Sequence, residues 1–188
     1  MNDTALLIID LQNDYFPGGA MELEGAERAA ARAAEALAAF RSKRLPVFHV
    51  RHLSARPGAT FFIPGTPGAE IHQAVKPAPG EPVLEKNFPN SFRATELEAR
   101  LERAGVKHLV VAGMMTHMCV DASVRQAADL GFRVTLLADA CAARAQSYAG
   151  ESVPAKQVHT AFLAALNGLY AKVVPTAEAL NTVQGGGQ

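Results

Sequence analysis

The chain has 188 residues, 49% of them hydrophobic, and its 18 Lys plus Arg balance 18 Asp plus Glu. That length suits one domain with a sizeable core, and the composition excludes a disordered chain. Zero net charge without a basic cluster argues against nucleic acid or an anionic membrane surface as partner, and favours self-association. No apolar run approaches the ~20 residues that span a bilayer, and the N-terminus shows no signal-peptide pattern. Cys119 and Cys141 lack zinc-site spacing, so a reduced, cytoplasmic setting is expected.

Ala5–Ile9 reads as a buried strand with Asp10 at its carboxyl end. From Leu23 to Phe40, apolar residues recur at steps of three and four, the face of an amphipathic helix. A second strand covers Val47–Val50. Leu53–Pro82 then holds six prolines and four glycines around Phe61, Phe62 and Ile63, the composition of a functional or interface loop. Val83–Lys86 is a third strand ending on Lys86. Thr95 and Glu98 form a capping box before a helix that Gly105 stops.

Leu109–Ala112 is a fourth strand, ended by Gly113, and a helix with Val120, Val124 and Ala127 follows. Cys119 falls at that strand-to-helix turn, where backbone N–H groups and the helix dipole favour thiolate. Arg133–Ala138 is the fifth strand. Ser152 and Pro154 fit the start of a helix carrying Val158 and Phe162, and Tyr170–Val174 and Thr176–Val183 supply the last strand and helix. Apolar strands alternating with helices predict a three-layer α/β/α fold, a doubly wound six-stranded parallel sheet. One domain is expected over residues 1–183, with a mobile tail at 184–188.

Ligands of such sheets bind at the carboxyl ends of the strands. Asp10, Lys86 and Cys119 each fall at or just after such an end. Taken singly, they read as a loop cap, a surface lysine and a small buried residue. Together they make a coherent set: a carboxylate to accept a proton, an ammonium to lower the thiol pKa, and a thiolate to attack a carbonyl.

The chain resembles the isochorismatase-like cysteine hydrolases, through LLIIDLQNDYF (Leu6–Phe16), LEKNFPNSF (Leu84–Phe92) and VVAGMMTHMCVDASVRQAADLGF (Val110–Phe132). DACA (Asp139–Ala142) and VHTAFLAALNGLYAKVV (Val158–Val174) extend the likeness over almost the whole length. The resemblance implies Cys119 as nucleophile, Asp10 as general base and Lys86 as the group that stabilises the thiolate. It implies a cis peptide at Met114–Met115 and an oxyanion hole from the backbone N–H groups of Met115 and Cys119. The reaction it implies is C–N hydrolysis of a small molecule through a thioester. The alternatives are vinyl-ether hydrolysis using Asp10 and a non-catalytic family member.

Nicotinamidases of this family carry a metal site built on Asp-x-His after the second strand. Here that region reads HVRHLS, so neither a metal nor another cofactor is expected. His49 and His52 would point to opposite faces of their strand, so one of them is more suited to burial or hydrogen bonding than to a metal. Gln12, Phe16, Phe88, Met114 and His117 are candidate pocket residues. Asp14 is expected to hold its loop. A homo-oligomer, dimer or tetramer, is expected, with Phe61, Phe62 and Ile63 either at its interface or folded back as a lid.

Overall fold

The computed structural model describes residues 3–184; of the expected tail at 184–188, Gln184 ends the last helix and the other residues lie outside the described residues. Six strands form one parallel sheet: β1 (Thr4–Ile9), β2 (Val47–His52), β3 (Val83–Lys86), β4 (His108–Met114), β5 (Arg133–Ala142) and β8 (Lys172–Val174). Their order is β3-β2-β1-β4-β5-β8. From β1 the chain winds outward through β2 and β3; from β4 it winds the other way. The crevice between β1 and β4 is therefore the topological switch point, where such sheets bind ligands.

Every residue of β1 is buried, which explains its unbroken apolar run. Leu6 and Ile8 pack toward α1 (Ala26–Ser42) and α5 (Thr176–Gln184) on one face. Ala5, Leu7 and Ile9 pack toward α2 (Leu97–Arg103), α3 (Asp121–Asp129) and α4 (Ala155–Leu166) on the other. The period of two in a strand thus builds two cores from one segment. Among the described residues, no helix is long and apolar enough to cross a membrane.

Gly113 makes the switch point possible. Its φ of +147° suits glycine, and a Cβ there would collide with the Ile9 carbonyl on β1. Any side chain would push β4 away from β1, just where Asp10 and Cys119 must meet.

Local details depart from the expectations. Helix α1 starts at Ala26 rather than Leu23, because Gly25 enters it in a left-handed conformation (φ 78°). Thr95 Oγ1 accepts from the Leu97 N–H at 3.2 Å, but Glu96 is the cap residue of α2 and no reciprocal Glu98 bond forms among the described residues. Ser152 caps nothing: it lies in a hairpin, β6 (Gln146–Tyr148) and β7 (Glu151–Val153), that precedes α4, and Pro154 takes the cap position. Both strands of the hairpin are exposed at every residue, so they carry no apolar run to be seen in sequence.

The apolar centre of the long loop turns inward. Phe62 is buried with its ring 4.7 Å from that of Tyr15, and Phe61 packs partly buried beside both. This corrects the interface reading of Phe61 and Phe62, which form no exposed patch and fold over their own subunit. Asp14 holds them there, its Oδ2 accepting from the Phe62 N–H at 2.6 Å and its Oδ1 from the Ala20 N–H at 3.2 Å. Gly68 lets the loop approach, since a Cβ would run into the Asp14 carboxylate.

Candidate active site

The sheet edge gathers the site from four strand ends. Asp10 leaves β1 in a left-handed conformation (φ 51°), its N–H donating to the Val50 carbonyl at 2.9 Å. A non-glycine residue held there is strained, a feature that clusters at functional sites. Lys86 ends β3 and His52 ends β2, the two being register partners. Cys119 follows β4 in a π-type turn, Thr116–Val120, which leads into α3 at the strand-to-helix turn the sequence indicated. The Met114–Met115 peptide that opens this turn is cis. Thr116 ties the turn to α4, with Oγ1 2.8 Å from His159 Nδ1.

Lys86 Nζ donates to Asp10 Oδ2 at 2.6 Å and to His52 Nδ1 at 3.1 Å. The ammonium as donor makes Nδ1 the acceptor and leaves the ring proton on Nε2. Both ends of the Lys86–Asp10 pair are fully buried. The remaining carboxylate oxygen, Asp10 Oδ1, is buried with no hydrogen-bond partner. An unpartnered buried oxygen costs about 1–3 kcal/mol, so its retention points to use rather than stability. Cys119 Sγ, an Asp10 carboxylate oxygen and a His52 ring nitrogen all lie within 4.8 Å of one another.

Burial drives Lys86 down, but Asp10 and Cys119 outweigh it and hold the ammonium above its ordinary value. For Cys119 the balance goes the other way. Burial, then the Asp10 carboxylate, push the thiol up, and Lys86 pulls it down only in part. This corrects the expectation of a lowered thiol pKa. The resting sulfur keeps its proton beside the Asp10 carboxylate. Burial, and then Lys86, lower His52, leaving it neutral near pH 7.

Cys119 opens onto a cavity of about 310 Å³. Tyr15, His52, Phe61, Phe62, Asn87, Met115 and Met118 are among its lining, with the loop from Ser54 to Thr60. The five candidate pocket residues lie elsewhere. Gln12 is buried, donating to the His52 and Ala69 carbonyls and accepting from the His52 N–H, so it clamps β2 to the loop. Phe16 stacks on His72, and Phe88 lies under the Arg93 guanidinium. Met114 belongs to the core on the α1 face, and His117 is buried edge-on to Phe162. The sequence placed Asp10, Lys86 and Cys119 together and missed His52. The rule that found Lys86 at the end of β3 would have found His52 at the end of β2.

The model of the isochorismatase domain matches residues 4–178. The chain belongs to the isochorismatase family. A family member from Bacillus subtilis, YddQ, is 51% identical over 173 residues, covering 92% of this chain and 96% of that protein. Nicotinamidase 3 of Arabidopsis thaliana is 31% identical over 151 residues, covering 73% and 72%. A structure from Oleispira antarctica superposes with a TM-score of 0.93 at 48% identity, over 96% of this chain and 97% of that one. With a buried thiol beside a carboxylate and an ammonium, this isochorismatase-family chain is a cysteine hydrolase.

Its residues do not fit the metal site of the nicotinamidase pattern. His49 is committed to Glu81 at 2.9 Å, Arg51 to Glu70 and Glu85, and the segment HVRHLS holds no aspartate. Asp10, His52 and Cys119 are grouped closely enough to hold a cation. The cation among them is the Lys86 ammonium, already bonded to two of the three.

Proposed function

We propose that this hydrolase cleaves the C–N bond of a small amide through a Cys119 thioester, with Asp10 as general base. The observation that carries the reading is the Asp10 carboxylate grouped with the Cys119 thiol, one of its oxygens held by Lys86 and the other, Oδ1, buried without a hydrogen-bond partner. As sulfur attacks the amide carbonyl, the thiol proton passes to Asp10. The oxyanion forms against the N–H groups of Met115 and Cys119, both lining the cavity. Collapse breaks the C–N bond, and the proton on Asp10 goes to the leaving nitrogen. Asp10 then takes a proton from water as its oxygen attacks the thioester, and the sulfur leaves with that proton. Lys86 stays charged throughout, fixing the base and steadying the charge that develops on sulfur.

The substrate is small: the cavity equals about ten water-sized volumes, each ~30 Å³ in the liquid. A relative whose name denotes an amidase, Nicotinamidase 3, supports amide hydrolysis over the family's vinyl-ether chemistry. Ammonia release from a panel of small amides, with Cys119→Ser as control, tests the proposal. Turnover should fall at least a thousandfold in the variant, with the melting temperature unchanged. Quenched reactions of the parent should show the acyl mass on the Cys119 peptide. Turnover retained in Cys119→Ser would remove the cysteine from the mechanism.

We also propose a homo-oligomer in a reducing, cytoplasmic setting. Zero net charge, the exposed Tyr148 on its hairpin and the exposed Leu169 support association. Two free thiols support the setting. Light scattering at micromolar concentration should give a multiple of 19.9 kDa.

A further inference from the structure

The Lys86 ammonium carries three donors, and two of them have fixed partners. Asp10 Oδ2 accepts one at 2.6 Å and His52 Nδ1 accepts another at 3.1 Å. The third corner of the same cluster is Cys119, whose sulfur lies within 4.8 Å of an Asp10 oxygen and a His52 ring nitrogen. The sulfur and the ammonium also act on each other's protonation. A freely spinning ammonium would offer its third donor in any direction. With two N–H bonds pinned, tetrahedral nitrogen leaves the third only one.

His52 is held from its backbone outward. Its N–H donates to Gln12 Oε1 at 2.7 Å and its carbonyl accepts from Gln12 Nε2 at 2.9 Å, and Gln12 is itself fully buried. It is the register partner of Lys86 across β2 and β3, and the next N–H, that of Leu53, donates to the Lys86 carbonyl at 2.9 Å. Register partners on neighbouring strands put their side chains on one face of the sheet, so the imidazole and the ammonium meet. His49, three residues earlier, faces the other way, toward Glu81. Burial, then Lys86, keep the His52 ring neutral, with Arg56 of the following loop acting the same way and Asp10 against them. Only a neutral ring has a nitrogen lone pair to accept with.

We infer that His52 is a positioning residue, which anchors the Lys86 ammonium through Nδ1 and so aims its remaining N–H at the Cys119 sulfur. Its effect on the chemistry passes through Lys86 and not through the substrate. The inference rests on Cys119 as the nucleophile of the proposed reaction. There, negative charge develops on sulfur as Asp10 takes the proton, and a directed, charged donor steadies it more than a loosely held cation does. The role needs an acceptor and no proton transfer by the ring. An amide oxygen in place of Nδ1 therefore serves, and a hydrocarbon does not.

The test compares His52→Asn, which keeps an acceptor near the Nδ1 position, with His52→Leu, which keeps bulk without one. Alkylation of Cys119 by iodoacetamide is followed from about pH 7 to pH 10, across the ordinary range of a thiol. In His52→Leu the rate should fall tenfold or more throughout, which moves the profile up by about one pH unit. His52→Asn should stay within threefold of the parent. In a Lys86→Met background, His52→Leu should change the rate less than twofold, because nothing remains for it to act through. His52→Leu alkylating as fast as the parent, or His52→Asn no faster than His52→Leu, overturns the inference. An equal loss in the Lys86→Met background also overturns it, since His52 would then govern access or packing. Should Lys86→Met fail to fold, the comparison of Asn with Leu decides alone. Turnover of small amides should follow the same order in kcat, and a loss confined to KM would put His52 on the substrate and overturn the inference. The expected order of alkylation, with no amide hydrolysed by the parent, would sink the amide-hydrolysis reading and leave the role of His52 standing.

Discussion

At the scale of single residues, the site is a proton held between unequal neighbours. Lys86 is buried and charged because Asp10 and Cys119 outweigh the desolvation that opposes it. Removing it should be costly twice over. Lys86→Met leaves Asp10 buried without its cation, and breaking such a pair costs about 3–5 kcal/mol. Urea unfolding should show that loss, and kcat should fall at least a hundredfold because the base is no longer fixed. Cys119 gives a second test. Burial and Asp10 hold its thiol up, so iodoacetamide should alkylate it slowly at pH 7 and accelerate only above about pH 9, the ordinary range of a thiol. An alkylation rate already flat at pH 7 would mean a resting thiolate. The Lys86 ammonium also sets an expectation for metals. It occupies the position among Asp10, His52 and Cys119 that a cation would take, so dialysis against a strong chelator should leave turnover unchanged. Loss restored by zinc or manganese would show that Lys86 yields that place.

At the scale of elements, the strands were legible and the turns were not. Strands β1 and β4 are buried on both faces, so burial wrote itself into the chain as unbroken apolar runs, ALLII and LVVA. The end of each strand then pointed to Asp10, Lys86 and Cys119. The pocket was not legible, because its wall comes from a loop whose path is set by long-range hydrogen bonds rather than by any period. One of these, the Phe62 N–H to Asp14 Oδ2, joins residues 48 apart in sequence. It explains why Phe61 and Phe62 line the cavity, while Phe16 and Phe88, nearer the motifs, do not. Asp14→Ala removes a charged acceptor from a buried N–H, at a cost of about 1.5–3 kcal/mol. The loop should loosen locally before the domain unfolds. Limited proteolysis should nick residues 53–66 faster than in the parent, and KM should rise more than kcat falls. A proteolysis pattern identical to the parent's would show that the loop holds its path without Asp14.

At the scale of the whole molecule, the histidines make the fold sensitive to acid. All six lie below their ordinary value, and burial is the largest cause at each: His49, His52, His72, His108, His117 and His159. Several are built into structure, His49 against Glu81, His108 against Thr135 and His159 against Thr116. His117 is packed against Phe162 with its Nδ1 unpartnered. In the unfolded chain each histidine titrates near 6.5. Above that pH both states are neutral at these rings, and the folded state has its full advantage. Below it, the unfolded chain takes up protons that the folded one refuses, and stability falls until each lowered folded pKa is passed. Each proton so linked steepens the decline by about 1.4 kcal/mol per pH unit. Glu81 adds a later loss in the same direction. Arg41, chiefly, holds its carboxyl down at about 2, so its contribution is complete above the ordinary carboxylate range and fades as pH drops toward that value. The urea midpoint should therefore be flat between pH 7 and 8, and should fall from about pH 6.5 with a slope of more than one proton. His117→Phe, which keeps a ring against Phe162, should reduce that slope by part of one proton. A midpoint unchanged down to pH 5 would show that the buried rings accept protons in place.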